Sequence, residues 1–425
     1  MQLGPKSASR APLAARLLTA LDQLGFDPAT GILGLAVSGG GDSMAMLHLA
    51  RDLGLRVQVA TVDHGLRPEA ADEARMVAQV AHSMGYDHQI LVWRGWDGRG
   101  NVQDRARRAR RALLADWAQA RGLDAVALAH SQDDLAETFL MRLARGAGVD
   151  GLAAMQPRFA AEGAVFLRPL LAATRDELRA YLTARRAQWV DDPSNDQMKF
   201  DRVRARKAQP LLQNLGIGAQ VLAEVAQHMR AASVALEAAC DDLARRVMTE
   251  SRGIITLSED WRAAPPEVQR RLIQRAILWI APADYAPRGA ALQGAIARIE
   301  RGLPTQLAGC HLLPQQGKIL AFREARRAAP ACAANALWDG IWRLTGAPPA
   351  YPHIAAQIGP LGQAGLAQWQ GWRSTGLPRA ALISQPSLWR DGQMIFTPLC
   401  PDLAPSYAFF RHPSADSLYS MRLAD

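Results

Sequence analysis

ILGLAVSGGGDSMAMLHLARDL, residues 32–53, decides the fold. Its first residues form a nearly unbroken apolar run, as a strand buried on both faces of a parallel sheet requires. Three glycines, Gly39, Gly40 and Gly41, then break the run, and residues 44–53 read as a helix. Outward from this unit the same alternation repeats. Helices are predicted over 11–24, 69–84, 102–121 and 135–145, and strands over 55–64, 88–93 and 124–130. In the helix over 102–121, Val102, Ala106, Ala109, Leu113, Trp117 and Ala120 recur at three- and four-residue spacing and mark its buried stripe. Strands alternating with helices of this length predict an α/β domain with a doubly wound parallel sheet.

The alternation stops near residue 210. From 216 to about 301 the pattern is mostly helical, with Pro266 placed to open a helix. Beyond about 328, Pro, Gly and Trp rise together (Trp338, Trp342, Trp369, Trp372 and Trp389) and helical periodicity fades. A small mixed or β-rich segment is expected there, with most of the tryptophans in its core. Three domains follow: 1–212, a helical 213–328, and 329–425.

Composition sets outer limits. A chain of 425 residues exceeds one ordinary domain, and 49% apolar with 21% charged residues suits a globular protein. No uncharged apolar stretch is long enough for a transmembrane helix, and no secretory signal is expected. The four cysteines, Cys240, Cys310, Cys332 and Cys400, are far apart and all lie beyond residue 239. That excludes a disulfide scaffold and CxxC metal patterns, and suggests a cytoplasmic location. The net charge is +9, and only four of the 49 basic residues are lysines. Arginine suits bidentate phosphate contacts and permits a nucleic-acid partner, although compositional bias alone gives the same excess.

SGGGDS, Ser38 to Ser43, carries the sharpest chemistry. Glycines let the backbone turn its N–H groups toward an anion, and the helix that follows presents its positive end. Ser38 and Ser43 can add hydroxyl donors. Asp42 would repel phosphate unless a cation lay between them, which implies Mg²⁺. A plain Gly-rich strand-to-helix turn is the alternative. No GxxxxGK[ST] occurs, so this is not a Walker A loop. A second glycine pattern, Gly146 to Gly151, follows a helix and reads as a helix C-terminus, not a dinucleotide fingerprint.

SGGGDS resembles the PP-loop of the ATP pyrophosphatases, which cleave ATP to AMP and pyrophosphate while adenylating an acceptor. Within that family the remaining motifs resemble the tRNA(Ile)-lysidine synthetases. They are VDHGLRPEAADE at 62–73, the A-R-x-x-R pattern within 101–114, AHSQDDLAETFLMRLARGAGVDGLAAM at 129–155, RPLL at 168–171, TRDEL at 174–178, and WVDDPSNDQMKFDRVRARKAQPLL at 189–212. The match is dense over 30–212 and loose beyond. Two positions depart from the pattern: Arg111 replaces an aromatic residue, and Val203 replaces an asparagine between Arg202 and Arg206.

The resemblance implies an enzyme using ATP and Mg²⁺ to join L-lysine to the wobble cytidine of a CAU-anticodon tRNA(Ile). It implies ATP binding by Ser38, Gly39, Gly40, Gly41, Asp42, Ser43 and His64, with Asp42 also the metal ligand. Lysine falls to Asp133, Asp134, Glu137, Arg107 and Arg206. The tRNA falls to Arg67, Arg110, Arg202 and Arg204. Catalysis rests on Asp42, Asp133 and Asp134. Asp133, Asp134 and Glu137 gather at one helix start and could hold the lysine ammonium, Mg²⁺ or both. Helix capping, with Ser131-x-x-Asp134 as a capping box, is the structural alternative and leaves at least one carboxylate free. A PP-loop tRNA sulfur transferase is the competing reading. Those enzymes usually use cysteines or an iron–sulfur cluster in the catalytic domain, and residues 1–239 contain no cysteine.

Overall fold

The computed structural model describes residues 11–65, 70–94, 102–190, 201–283, 286–287, 289–345, 356–400, 408–411 and 418. They fall into two compact units, one up to Ser233 and one from Val234 to Ala424.

The first unit runs α1 (Leu13–Gln23), β1 (Leu33–Ala36), α2 (Gly41–Asp52), β2 (Val57–Asp63), α3 (Ala70–Ser83), β3 (His88–Val92), α4 (Val102–Ala120), β4 (Ala125–Leu128), α5 (Gln132–Leu143), α6 (Val149–Leu152), β5 (Arg158–Ala161), β6 (Ala164–Leu167), α7 (Arg175–Ala184) and α8 (Asp201–Gln213). The sheet order is β3-β2-β1-β4-β6-β5. All neighbours are parallel except β5, which pairs antiparallel with β6. The doubly wound α/β sheet expected from the alternation is therefore present, with an added hairpin at one edge. All four residues of β1 are buried, as a central parallel strand demands. Leu21, Leu35, Met44, Leu47 and Leu178 pack one face of the sheet, and Leu114, Trp117, Val126 and Phe166 the other.

The buried stripe of α4 differs from its predicted course. Ala106 and Trp117 are buried, but Ala120 is exposed, and Leu114, Ala115 and Ala118 take inner positions. Residues 106, 110, 114 and 118 are four apart and share one helix face. Arg110 therefore stands on the inward line.

The two directions of winding diverge between β1 and β4. In open α/β sheets, ligands bind beyond the C-terminal ends of strands at such a switch point. The loops after β1 and β4 are the SGGGDS turn and the Ser131–Asp134 helix start.

A long helix, α9 (Ala219–Val247), crosses the boundary at Ser233. The second unit continues with β7 (Met248–Ser251), β8 (Ile254–Leu257), α10 (Pro266–Ile280), α11 (Gly289–Glu300), β9 (Thr305–Leu307), β10 (Cys310–Gln315), β11 (Lys318–Arg323), β12 (Cys332–Ala333), β13 (Trp342–Thr345), β14 (Ala356–Pro360), α12 (Gly362–Gln368), α13 (Arg379–Leu382), β15 (Pro386–Arg390), β16 (Gln393–Phe396) and β17 (Ala408–Arg411). The expected helices are joined by an antiparallel sheet, β7-β8-β11-β10-β9, that helical periodicity did not predict. Its first hairpin turns at Arg252 and Gly253, with φ of 55° and 78°. Two successive left-handed residues are the type I′ geometry that suits the twist of paired strands.

Helix α10 is buried along most of its length, so Arg271 and Arg275, each 4% exposed, need acidic partners. Arg275 Nη2 lies 2.9 Å from Glu237 Oε2 and 2.7 Å from Asp241 Oδ1, and Arg271 pairs with Glu237 and Glu267. The later segment is mixed. It carries the sheet β12-β14-β15-β16 and the pair β13–β17. Trp338 and Trp342 are buried there, while Trp369, Trp372 and Trp389 are half-buried. Among the described residues, no helix is long and apolar enough to cross a membrane.

Candidate active site

The turn after β1 is held by its own hydroxyls. Ser43 Oγ donates to the Gly40 carbonyl at 2.9 Å and accepts from the Ser38 N–H at 3.1 Å. Gly39 has φ of 89°, a conformation that disfavours any side chain there. The segment before residue 191 closes over the turn. Val190 N–H donates to the Gly39 carbonyl at 2.9 Å, and Trp189 lies beside Gly41. Helix α2 starts at Gly41, so its unpaired N–H groups and positive end face outward from the turn.

Across the switch point, α5 begins with the predicted capping box. Asp134 Oδ2 accepts from the Ser131 N–H at 3.0 Å. Its other oxygen, Oδ1, faces Arg175 Nη2 at 3.2 Å. Capping and charge pairing thus coexist on one carboxylate. Asp133 Oδ2 accepts from the backbone N–H of Arg175 at 2.7 Å, which ties α5 to the start of α7. Glu137 is fully buried beneath three guanidinium groups: Arg206 Nε at 2.8 Å, Arg175 Nη1 at 3.3 Å and Arg202 Nε at 3.3 Å.

Arg175 is the hub that the sequence reading missed. Its Nε is 3.7 Å from Asp42 Oδ2, so one side chain spans the SGGGDS turn and two acids of α5. TRDEL was visible as a motif, and the capping box Thr174-x-x-Glu177 marks the start of α7. The β5–β6 hairpin that delivers α7 to the site was not predicted, so the placement of Arg175 was not legible.

These parts open onto one cavity of about 640 Å³, within the roughly 300–1,000 Å³ typical of small-molecule sites. Ser38, Gly40, Gly41, Asp42 and Ser43 line it from the β1 side. Its other polar and charged walls include His64, Glu73, Arg110, His130, Asp134, Arg175, Arg179, Arg202 and Arg206. Gly39, Asp133 and Glu137 stand behind this lining and shape it. Arg107 is exposed and does not line the cavity; Arg110, on the inward line of α4, does. Arg204 is 64% exposed and pairs with Asp201. Arg67 and residues Asp191, Asp192, Pro193 and Asn195 lie outside the described residues. Val203 is 5% exposed, an apolar side chain at an inward position of α8.

Electrostatics follow from burial and crowding. Burial, and then the neighbouring Asp134 carboxylate, push the Asp42 carboxyl up to about 6, against the opposing pull of Arg175. Burial also acts to raise Asp134, but Arg202 and Arg175, with the Ser131 N–H bond, outweigh it and hold that carboxyl below its ordinary value. His64 is held below its ordinary value by burial and by Arg110. Its buried Nδ1 has no hydrogen-bond partner among the described residues. Among the described residues, no three metal-ligating side chains converge. A magnesium ion at Asp42 would complete its shell with phosphate oxygens and water, the usual arrangement for this ion. The glycine turn, the helix start and Asp42 fit a magnesium-bound triphosphate.

The fold and the loop define a PP-loop protein. A family model described as the PP-loop domain matches residues 13–215. The tRNA(Ile)-lysidine synthase of Ruegeria pomeroyi is 46% identical over 381 residues, covering 86% of this chain and 88% of that protein. That of Zymomonas mobilis is 39% identical over 303 residues, covering 70% of this chain and 90% of that protein. The chain belongs to the tRNA(Ile)-lysidine synthase family, a family of PP-loop enzymes that use ATP.

Proposed function

We propose that this enzyme joins L-lysine to the wobble cytidine in the CAU anticodon of minor tRNA(Ile). The product, lysidine, changes decoding from AUG to AUA. One observation supports this most: the phosphate-type turn at Ser38–Ser43 and the acidic helix start at Asp134 line a single cavity, bridged by Arg175. One part suits a triphosphate and the other an ammonium group.

The turn and the α2 start hold the β- and γ-phosphates; Asp42 would hold Mg²⁺, which would supply charge neutralisation when bound. The ring carbonyl oxygen of the cytidine attacks the α-phosphorus and pyrophosphate leaves. The lysine ε-amine then attacks the adenylated carbon, and AMP leaves with the former carbonyl oxygen. The amine must lose a proton, and a carboxylate of the site accepts it. Arg206 meets the lysine carboxylate. Asp133 and Glu137 act by holding Arg175, Arg202 and Arg206 in place. The target base must be splayed from its loop to reach this site. Arg67, Arg110, Arg202 and Arg204 contact tRNA phosphates near the anticodon, and residues 213–328 and 329–425 bind the tRNA body. The protein acts in the cytoplasm.

Sulfur transfer gains no support from the site. All four cysteines are unpaired thiols beyond residue 239, and none lines the cavity among the described residues. The direct test of the first step is ATP–pyrophosphate exchange. It should require the CAU-anticodon tRNA(Ile), and exchange without tRNA, or none with it, contradicts the reading.

A further inference from the structure

We propose that Arg168 fixes His130 as a neutral imidazole with its single proton on Nε2, so that the ring serves the cavity as a permanent hydrogen-bond donor and not as an acid or base. Arg168 opens the RPLL motif and has no part in the function described so far. It is 3% exposed. Its Nη1 donates to the Gln156 carbonyl, and its guanidinium lies 4.4 Å over the Phe159 ring. Its Nε points at His130 Nδ1, 3.2 Å away.

A guanidinium has donors only. His130 Nδ1 must therefore offer its lone pair, and in the neutral ring the proton sits on Nε2. Protonating the ring would set one N–H against another and bring two cations together. Arg110 and Arg202 oppose a charged ring in the same way, and Asp134 favours it. Burial and Arg168 decide the balance and keep the imidazole neutral. The ring lines the cavity beside Arg110 and Arg202. A donor in the field of two cations suits an oxygen that carries negative charge. On the function proposed above, on which only this step rests, that oxygen belongs to a phosphate of ATP or of the adenylated base. A fixed donor needs no reorganisation when charge develops. Arg168 is thus a positioning residue acting through His130.

The tautomer can be read without any substrate. The full-length protein, labelled with ¹⁵N-histidine, is followed by NMR between about pH 5.5 and 8, where an ordinary histidine titrates. The His130 signals are those lost in His130→Gln. The expected result is an unprotonated Nδ1 and a protonated Nε2 throughout. A protonated Nδ1, or a shift to imidazolium within that range, overturns the proposal. In Arg168→Met the ring should recover a titration nearer the ordinary value of about 6.5; an unchanged ring would show that Arg168 does not set its state. The wild-type measurement stands even if that variant folds poorly. Kinetics distinguish the two sources of the oxygen. His130→Ala should lower kcat/KM about a hundredfold. The loss falls on pyrophosphate exchange if the ring serves ATP, and on lysine transfer from preformed adenylated tRNA if it serves the second step. Loss in neither step refutes the donor role.

Discussion

Arg206 Nε meets Oε1 of Glu137, a carboxylate with no solvent exposure, at 2.8 Å. The same acid also faces Arg175 and Arg202, so a single buried charge organises three arginines of α7 and α8. Removing one partner of a buried pair leaves the other uncompensated, which costs about 3–5 kcal/mol when both are buried.

Glu137→Gln should therefore destabilise the protein. Arg202 and Arg206 are 43% and 32% exposed, so solvent relieves part of the penalty. A loss of about 2 kcal/mol is expected in denaturant titration. The lysine KM should rise at least tenfold, because Arg206 loses its anchor. Unchanged stability and KM together would show that the buried cluster does not support the site.

Asp42 makes stability and activity move in opposite directions. Its carboxyl rises from 3.8 to about 6 on folding, so the folded state holds the proton more tightly than the unfolded chain. Without ligand, the resulting cost is absent below about 3.8 and grows as the pH climbs to about 6. Asp42→Asn should remove it, stabilising the ligand-free protein at neutral pH by on the order of 3 kcal/mol. The same change should abolish adenylation. In the wild type, kcat/KM for ATP should fall below about pH 6 as Asp42 takes up its proton. Thermal unfolding of both proteins across pH checks the first part, and the pH–rate profile checks the second.

Arg204 and Arg206 stand two residues apart and face different surroundings. Arg206 lines the cavity on Glu137, whereas Arg204 is exposed on Asp201. Arg206→Ala should raise the lysine KM. Arg204→Ala should leave the ATP and lysine KM values within about twofold and act on tRNA affinity alone, reducing its salt dependence by about one phosphate contact. A raised lysine KM in Arg204→Ala would contradict this division.

How much was legible in the sequence depended on element length and on which groups meet locally. The strand–turn–helix at 32–53 carries its own pattern, and β1 and α2 stand where it predicts. Ser131 and Asp134 form their capping box within four residues, so that contact was readable. Strands such as β5 and β7 span four residues, too few for alternation to register. Their turns, such as Arg252–Gly253, lack the Asn-Gly or Asp-Gly pairs that signal a hairpin most strongly. The Arg175–Asp42 and Arg168–His130 contacts join residues far apart in the chain, and only the folded sheet brings them together. Arg107 and Arg110 are three residues apart in the sequence of α4. The helix phase, set by Leu114 and Ala118 against the sheet, carries Arg110 inward and leaves Arg107 outside.

His64 offers a test of nucleotide binding. Its Nδ1 is buried without a partner among the described residues, and its ring lines the cavity. A buried polar atom left unpaired is costly, so a ligand group is expected to meet it. His64→Ala should raise the KM for ATP about tenfold while leaving that for lysine unchanged. Equal changes in both would point to general disruption of the cavity.

The most direct measurement is transfer of labelled L-lysine to tRNA(Ile) bearing the CAU anticodon, by the purified protein with ATP and Mg²⁺. One lysine should be fixed per tRNA at the wobble cytidine, with AMP and pyrophosphate released in equal amounts, and none when Asp42 is replaced by Asn. Absence of lysine transfer by the folded wild-type protein, or transfer that does not consume ATP, would contradict the proposed function.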